Sequence, residues 1–203
     1  MYAVLLYGTR ETVYNIAYNN KVGEPMKIAI IGYAGAGKST LARQLGQLYG
    51  CAVLHLDSVH FSAGWQERAD TDAKREVAAF MQQSSWIIDG NYSNFYQAQR
   101  LAEADKIIFM NFPRRTCLAA ALKRNKMYKG HTRPDMADGC LEKIDAEFIR
   151  WILIDGRRKK QRRRYADIAA QYQDKITILK NHRDTAACLQ ALQSSAQAAP
   201  QTA

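Results

Sequence analysis

Five short apolar runs recur along the middle of the chain, at positions 27–32, 52–57, 86–89, 106–111 and 175–179. Each run is rich in Ile, Val or Leu and is hydrophobic nearly throughout. This pattern is typical of strands that are buried on both faces of a parallel sheet. The sequence therefore predicts five parallel strands.

Between the predicted strands, apolar residues recur at the spacing of one helical face. They are Leu41, Leu45 and Leu48, then Val77, Phe80 and Met81, and then Leu141, Ile144, Phe148 and Ile152. Strands that alternate with helices predict right-handed crossovers and an α/β fold, with a three-layer, doubly wound, five-stranded parallel sheet. The ligand of such a sheet binds beyond the carboxyl ends of the strands.

The two ends of the chain lack this pattern. Residues 1–25 are Tyr-rich and weakly patterned, so we interpret them as an N-terminal extension outside the core, with an added edge strand as the alternative. The predicted domain spans residues 26–193 and includes a basic helical lid at about 124–164. Residues 194–203 are mostly Ala, Gln and Ser, and we expect a flexible tail.

Composition narrows the class of protein. A chain of 203 residues with 47% hydrophobic residues suits a single packed domain. It lacks both the run of about 18 to 20 apolar residues that a membrane span needs and a signal-peptide pattern, so we expect a cytoplasmic protein. The cysteines Cys51, Cys117, Cys140 and Cys188 form no CxxC pair and are expected to be reduced and structural. A metal site at His131 and Cys140 is the alternative, although the usual short ligand spacing is missing.

The segment after the first predicted strand matches the pattern GxxxxGK[ST] in full. Its residues are Gly32, Tyr33, Ala34, Gly35, Ala36, Gly37, Lys38 and Ser39, followed by Thr40. Glycines let successive backbone N–H groups turn toward phosphate oxygens, while Lys38 reaches the β and γ phosphates and Ser39 binds Mg²⁺. The following helix directs its positive end at the same anion. The sequence therefore predicts a binding loop for ATP and Mg²⁺.

Two aspartates stand at predicted strand ends, Asp57 after the second strand and Asp89 after the third. Phosphoryl transfer needs a bound metal and an oriented acceptor hydroxyl, and carboxylates serve either purpose. We assign Asp57 to the acceptor or general-base role and Asp89 to magnesium, directly or through water. The alternative for each is a helix N-cap.

Positive charge is concentrated late in the chain. Residues 113–164 contain sixteen Lys and Arg against six Asp and Glu, a difference of +10 that equals the net charge of the whole chain. Such a segment suits a polyanionic ligand, with a solvated charged face as the alternative. We expect Arg124 and Arg133 to act as catalytic lid arginines, because they flank a loop-like stretch around Gly130. For the cluster Arg157, Arg158, Arg162, Arg163 and Arg164, a solvated or phosphate-steering role is expected instead.

Two further segments are candidates for ligand contacts. His60, Phe61 and Trp65 follow Asp57 and could form an acceptor pocket, or could pack in the core. Asn181 lies in the stretch Lys180 to Arg183 after the last strand, where a nucleotide-binding sheet meets the adenine ring. We expect Asn181 to contact the base, with a simple strand-to-helix turn as the alternative.

Taken together, these motifs resemble the DNA topology modulation protein family, a branch of the adenylate-kinase-like P-loop proteins. The resemblance covers about residues 26–183. It rests on IIGYAGAGKSTLA at 30–42, LHLDSVHF at 54–61 with GW at 64–65, WIIDGNYS at 86–93, Arg100, ADKIIFMNFPR at 104–114 and RPDMADGCLEKIDAEFIRW at 133–151.

The resemblance implies ATP binding in a sheet of adenylate-kinase-like order, with Asp89 and Gly90 similar to the DG of nucleoside monophosphate kinases. Asn91 and Tyr92 stand where those kinases carry an aromatic residue, Pro and Arg. This departure argues against a nucleoside monophosphate acceptor. The family name reflects an association with DNA supercoiling and does not specify a reaction.

Three hypotheses follow from the sequence. The first is a phosphotransferase that moves the γ-phosphate of ATP to a small-molecule or nucleotide acceptor. The second is an ATP-dependent, DNA-associated regulator without small-molecule kinase activity, although no known nucleic-acid-binding module is visible. The third is an ATP-binding scaffold without turnover. Acceptor-dependent ADP formation separates the first hypothesis from the other two.

Overall fold

The computed structural model describes residues 25–197 of the protein. Residues 1–24 of the predicted extension and residues 198–203 of the predicted tail lie outside this range. No helix within residues 25–197 is long and apolar enough to span a membrane.

The centre of the described region is a parallel sheet of five strands. They are β1 (Lys27–Gly32), β2 (Val53–His55), β5 (Trp86–Asp89), β6 (Lys106–Met110) and β7 (Ile176–Leu179). Their order across the sheet is β2-β5-β1-β6-β7, and every pairing is parallel. A five-stranded parallel sheet of the doubly wound type is therefore confirmed.

Helices and one small hairpin complete the described fold. The helices are α1 (Lys38–Tyr49), α2 (Leu56–His60), α3 (Asp70–Met81), α4 (Gln97–Glu103), α5 (Arg114–Met127), α6 (Ala146–Leu153), α7 (Lys159–Gln171) and α8 (His182–Gln197). The antiparallel hairpin pairs β3 (Phe61–Ser62) with β4 (Gln66–Glu67). Residues 128–145 connect α5 to α6, and we call them the connecting segment. Two isolated bridges, Lys129 to Glu142 and Thr132 to Leu141, fold this segment back on itself.

The core forms where the sheet meets its helices. Ile30 of β1 and Ile88 of β5 are inaccessible to solvent, as is Leu45 on the apolar face of α1. Burial of each such side chain contributes about 1.5–3 kcal/mol. Because β1 is central and flanked by β5 and β6, the loop that follows it opens at the middle of the carboxyl edge. That position is the crevice where strand order reverses.

Several element boundaries differ from the predicted ones. The second strand ends at His55, so Asp57 lies in the first turn of α2 rather than at a strand end. Helix α6 begins only at Ala146, because Asp145 caps it by accepting a hydrogen bond from the Phe148 N–H at 2.8 Å. Helix α8 continues to Gln197, so the first four residues of the predicted flexible tail are helical.

Candidate active site

The loop between β1 and α1 has the conformation that the glycine pattern predicts. Gly35 has φ of +78°, and a Cβ atom there would lie 2.4 Å from the Cys117 carbonyl oxygen of α5. Gly37, with φ of +91°, stands at the N-terminus of α1 and accepts a hydrogen bond from the Leu41 N–H at 3.0 Å. Only glycine tolerates both restraints at Gly35. The loop is therefore held against α5 with the N-terminus of α1 facing the cleft.

Lys38 and Ser39 begin α1 at the end of the loop. Lys38 Nζ donates to the Tyr33 carbonyl oxygen at 3.3 Å, so the lysine curls back over its own loop. Ser39 Oγ donates to Asp89 Oδ2 at 2.9 Å. The structure thus brings together the residues that the sequence predicted for phosphate and magnesium. A hydroxyl beside a carboxylate also offers the oxygen ligands that Mg²⁺ prefers.

Asp89 is held from two sides. His55 Nδ1 lies 2.5 Å from Asp89 Oδ1, opposite the oxygen that accepts from Ser39. Burial lowers the pKa of His55, but the hydrogen bond and negative charge of Asp89 outweigh burial and raise it overall. Asp89 is buried, with 4% of its surface exposed. Its carboxylate is therefore fixed beneath the loop rather than free to swing.

Asn91 fastens the loop to the neighbouring strand. Its Oδ1 accepts from the Gly32 N–H at 3.0 Å and its Nδ2 donates to the Gly32 carbonyl oxygen at 2.7 Å. These two hydrogen bonds extend the connection between β1 and the residues after β5 beyond the last paired residues of the two strands, Ile30 and Asp89. The departure from nucleoside monophosphate kinases at this position therefore has a structural role in this chain.

The loop lies in a cleft with a volume of about 1530 Å³. The predicted loop residues that line the cleft are Tyr33, Ala34, Gly35, Gly37, Lys38, Ser39 and Thr40. Gly32 and Ala36 are buried in the loop beneath that surface. Further lining residues come from α2 and the hairpin, and from α5, the connecting segment and α6.

Asp57 reaches the cleft from α2 and is exposed. Its Oδ1 accepts a hydrogen bond from the Tyr92 hydroxyl at 2.8 Å. Burial, followed by the nearby charge of Asp57, raises the pKa of Tyr92, so the phenol stays protonated and orients the carboxylate. The aspartate therefore faces the cleft, although it does so from a helix and not from the predicted strand end.

An aromatic wall extends from Asp57. The ring of His60 lies 4.7 Å from that of Tyr92 and 4.5 Å from that of Phe61, and Phe61 lies 5.4 Å from Trp65. Phe61, Trp65 and Tyr92 line the cleft, whereas His60 packs behind them. Phe61 and Trp65 of the predicted acceptor pocket thus belong to an aromatic surface of the cleft, and the partly buried His60 packs against that surface.

Arg100 supports this wall from behind and is inaccessible to solvent. Its guanidinium donates to the Phe95 carbonyl oxygen at 2.7 Å and to the Tyr92 carbonyl oxygen at 2.9 Å. Burial and the nearby Arg164 lower the pKa of Arg100 to about 10. Arg100 therefore orders the loop that carries Tyr92.

Arg124 and Arg133, the two arginines predicted for catalysis, form ion pairs with buried carboxylates. Arg133 is 7% exposed; its Nη1 lies 2.8 Å from Asp135 Oδ2 and its Nε lies 2.6 Å from Glu142 Oε2. Arg124 Nε donates to Glu142 Oε1 at 2.7 Å. Arg43 of α1 approaches Asp135 at 3.9 Å. Because both predicted arginines form ion pairs with these carboxylates, their positions indicate that they fasten the connecting segment, rather than offer free charge to a ligand.

A different arginine is free of carboxylates. Arg157, in the short 3₁₀ turn before α7, is 8% exposed and its guanidinium lies 3.4 Å from the ring centroid of Tyr33. Its Nη2 donates to Cys117 Sγ at 3.2 Å. Within residues 25–197, Arg157 forms no salt bridge and its buried Nε has no hydrogen-bond partner. A buried cation is costly unless it is paired, so this arrangement fits an anion in the cleft.

Arg164 of α7 lies at the same end of the cleft. Its Nη2 donates to the Asn91 carbonyl oxygen at 2.8 Å, and its guanidinium contacts the Gln97 side-chain oxygen. Both partners are neutral, so the positive charge of Arg164 remains available. The sequence predicts a solvated or steering role for Arg157 and Arg164, because nothing in the run of arginines distinguishes them from the exposed Arg162 and Arg163.

Asn181 does not line the cleft. Its Oδ1 accepts from the Asp184 N–H at 3.0 Å at the start of α8. Asn181 therefore matches the alternative interpretation, a strand-to-helix turn. Its side chain caps α8 and satisfies a backbone donor that would otherwise be unpaired. His182 lines the cleft at this corner and packs edge-on against Phe112.

Comparison with known proteins supports the fold. No model of a known protein family matches the chain, and no curated protein matches it. Shikimate kinase from Acinetobacter baumannii in complex with shikimate is similar over 83% of this chain and 92% of that chain, with a TM-score of 0.51 and 16% identity. Shikimate kinase from Bacteroides thetaiotaomicron is similar over 83% of this chain and 97% of that chain, with a TM-score of 0.47 and 19% identity. Deoxyadenosine kinase from M.mycoides with bound dATP is similar over 83% of this chain and 98% of that chain, with a TM-score of 0.48 and 16% identity. The first of these likenesses shows that the chain has the P-loop NTPase fold.

Proposed function

We propose that this protein is an ATP-dependent phosphotransferase that moves the γ-phosphate of ATP to an acceptor hydroxyl in the cleft. One observation carries the proposal. The phosphate-loop residues Lys38 and Ser39 and the unpaired cation Arg157 line the same cleft as the exposed carboxylate of Asp57. Anion-binding groups and a proton acceptor facing one cavity are what phosphoryl transfer requires.

Each residue has a distinct role in this proposal. The loop backbone and Lys38 hold the phosphates of ATP, and Arg157 and Arg164 neutralise charge on the transferred group. Asp57, oriented by Tyr92, accepts the proton of the acceptor hydroxyl. Ser39 and Asp89 would hold Mg²⁺, and both Asp89 carboxylate oxygens already contact protein groups, Ser39 and His55. A magnesium ion bound there would neutralise phosphate charge.

The connecting segment and α6 form the proposed lid. The ionic cluster around Arg133 keeps this lid folded as a unit, and Trp151 and Phe148 of α6 line the cleft beneath it. Closing such a lid would exclude water, so that phosphate is transferred to the acceptor and not to solvent. In this proposal, Arg124 and Arg133 hold the lid in its folded conformation and do not contact the transferred phosphate.

The test is ADP release by purified protein with Mg²⁺ and ATP, in the presence of pooled nucleosides, nucleoside monophosphates and small hydroxylated metabolites. The control is Lys38→Ala, which removes a charge from the phosphate site. Acceptor-stimulated ADP release that Lys38→Ala abolishes supports the proposal. Protein that binds ATP but releases no ADP with any acceptor contradicts it and favours the scaffold hypothesis.

A second candidate function is an ATP-responsive, DNA-associated regulator, which the resemblance to the DNA topology modulation family suggests. The supporting observation is a set of exposed basic residues near the start of α7: Lys159, Lys160, Arg162 and Arg163. This function predicts duplex DNA binding that weakens steeply with salt and changes on addition of ATP. DNA affinity that ATP leaves unaltered argues against it.

A further inference from the structure

Four of the cations that line the cleft have acidic partners, in contrast to Arg157. Lys143 lies 5.9 Å from the Trp65 ring and 3.7 Å from Asp145. Arg124 and Arg133 are paired with Glu142 and Asp135, as described above, and Arg43 also approaches Asp135. A neighbouring carboxylate offsets part of the attraction of each of these cations for a further anion. This end of the cleft is therefore poor at binding a negatively charged acceptor.

Asp57 makes the same end still less favourable for an anion. Its exposed carboxylate faces the cleft beside Tyr92, and like charges at close range repel. Asp57 also accepts hydrogen bonds, so a hydroxyl group is a suitable partner. The charge pattern at this end thus selects for a neutral molecule that carries a hydroxyl.

The shape of the wall indicates the rest of the acceptor. Phe61, Trp65 and Tyr92 present ring surfaces to the cleft. Trp65 is fixed in place, because its Nε1 donates to the Leu141 carbonyl oxygen at 2.8 Å. A fixed indole beside the ring of Phe61 is a platform on which a flat ring stacks.

We propose that the acceptor is an uncharged molecule with a flat ring and a hydroxyl group, for which a nucleoside is the simplest probe. This inference rests on the proposed function and names its substrate class. The acceptor ring packs on Trp65 and Phe61, and its hydroxyl hydrogen-bonds to Asp57. The phosphates of ATP occupy the other end, near Lys38 and Arg157.

The transfer step balances with ATP alone. The acceptor oxygen forms a bond to the γ-phosphorus, and the bond between that phosphorus and the β–γ bridging oxygen breaks. The bridging oxygen keeps the electron pair and leaves with ADP. The hydroxyl proton passes to Asp57 and then to solvent. No oxidant or further reactant is required.

The first experiment compares acceptors that differ by one phosphate group, which adds negative charge and replaces the 5′-hydroxyl. Four nucleosides and their 5′-monophosphates are assayed for ADP release, and their binding is measured by calorimetry in the presence of a non-hydrolysable ATP analogue. We expect kcat/KM to be at least about 100-fold higher for the best nucleoside than for its monophosphate, because the monophosphate must sit beside Asp57 among paired cations.

Three variants test the assignment within the wall. Trp65→Ala should raise the nucleoside KM about 10-fold and leave the ATP KM unchanged, whereas Trp65→Phe should restore most of the loss. Asp145→Asn removes the partner charge of Lys143 but can still cap α6 through its carbonyl oxygen. We expect this variant to lower the ratio of kcat/KM for the nucleoside to kcat/KM for its monophosphate about 5-fold, because the unpaired Lys143 would then attract the phosphate.

One other cation needs its own control. Lys123 is an exposed residue of α5 that also lines the cleft, so it could hold an acceptor phosphate. Lys123→Ala is compared with Lys126→Ala, an exposed lysine of the same helix that is not among the cleft-lining residues. The inference predicts that both variants keep the preference for the nucleoside.

The outcomes separate this inference from the proposed function. Turnover that favours monophosphates or carboxylic acids overturns the inference and leaves the phosphotransferase standing. Absence of ADP release with every acceptor overturns the phosphotransferase, while Trp65-dependent binding of nucleosides but not monophosphates still supports the neutral site. Absence of nucleoside binding in calorimetry overturns the inference.

Discussion

Two pairs of arginines line the same cleft and differ in their surroundings. Arg124 and Arg133 are bound to buried carboxylates on the connecting segment, whereas Arg157 and Arg164 contact a thiol, an aromatic ring, a carbonyl and an amide. The first pair uses its charge to hold protein together. The second pair keeps its charge available to a ligand. Proximity to a nucleotide loop is therefore a poor guide to catalytic function unless the counter-charges are known.

The ion pairs of Arg133 predict a large loss of stability when this residue is replaced. Arg133→Met leaves Asp135 and Glu142 with only Arg43 and Arg124 for compensation, so we expect the free energy of unfolding to fall by about 3 kcal/mol. Turnover per folded molecule should change less than about 3-fold, because Arg133 faces carboxylates and not the phosphates. Urea unfolding and ADP release measure the two quantities.

The control for Arg133→Met is Arg163→Met, which replaces an exposed arginine of α7 and should change stability by less than about 0.5 kcal/mol. A stable Arg133→Met protein whose turnover falls about 100-fold would restore the catalytic role that the sequence suggested for Arg133.

Replacement of Asp57 should affect the reaction and spare the fold. Asp57→Asn keeps the size of the side chain but removes the proton acceptor, so we expect kcat to fall about 100-fold. Tyr92→Phe removes only the hydrogen bond that orients Asp57 and should lower kcat by about 5- to 10-fold. Steady-state kinetics with saturating ATP provide the measurement. Unchanged kcat in Asp57→Asn would assign the proton acceptor elsewhere.

The smallest effect concerns the pH dependence of stability. The pKa of His55 is raised in the folded protein relative to its ordinary value of 6.5, because Asp89 stabilises the protonated imidazole. Protonation of His55 therefore stabilises the folded protein relative to the unfolded chain. This contribution is fully present below about pH 6.5 and is lost as pH rises through the folded pKa. The Tm in magnesium-free buffer should therefore fall less between pH 6 and 9 for His55→Asn than for wild type. Parallel curves would show that the His55–Asp89 pair contributes nothing to pH dependence.

The fold could be predicted largely from the sequence, because its strands are short and continuously apolar. The predicted limits of β1 and β5 match the structure. Prediction failed where a side chain competes with the apolar pattern: Asp145 caps α6, so the helix starts after Leu141 and Ile144 even though both match its periodicity. At Asp57, the apolar pattern of β2 continues through Leu56 into α2, so the sequence shows no break at the end of the strand.

The candidate site divides in the same way. Lys38, Ser39 and Asp89 are close together because the loop and the strand ends are adjacent in sequence or in the sheet, which a pattern can predict. The partners of Arg133 and Arg157 depend on how the connecting segment folds over the cleft. The Arg157 contact with Cys117 joins residues 40 positions apart, and no local spacing predicts it.

The effect of Arg157→Gln on turnover and stability, measured on the same protein preparation, tests most directly whether Arg157 offers its charge to the transferred phosphate. Because Arg157 is buried without a carboxylate, its removal should change the free energy of unfolding by less than about 1 kcal/mol. Loss of its charge from the transferred phosphate should lower kcat about 100- to 1000-fold. A variant that keeps kcat within about 3-fold of wild type while losing about 3 kcal/mol of stability would contradict the account, since Arg157 would then behave as Arg133 is predicted to behave.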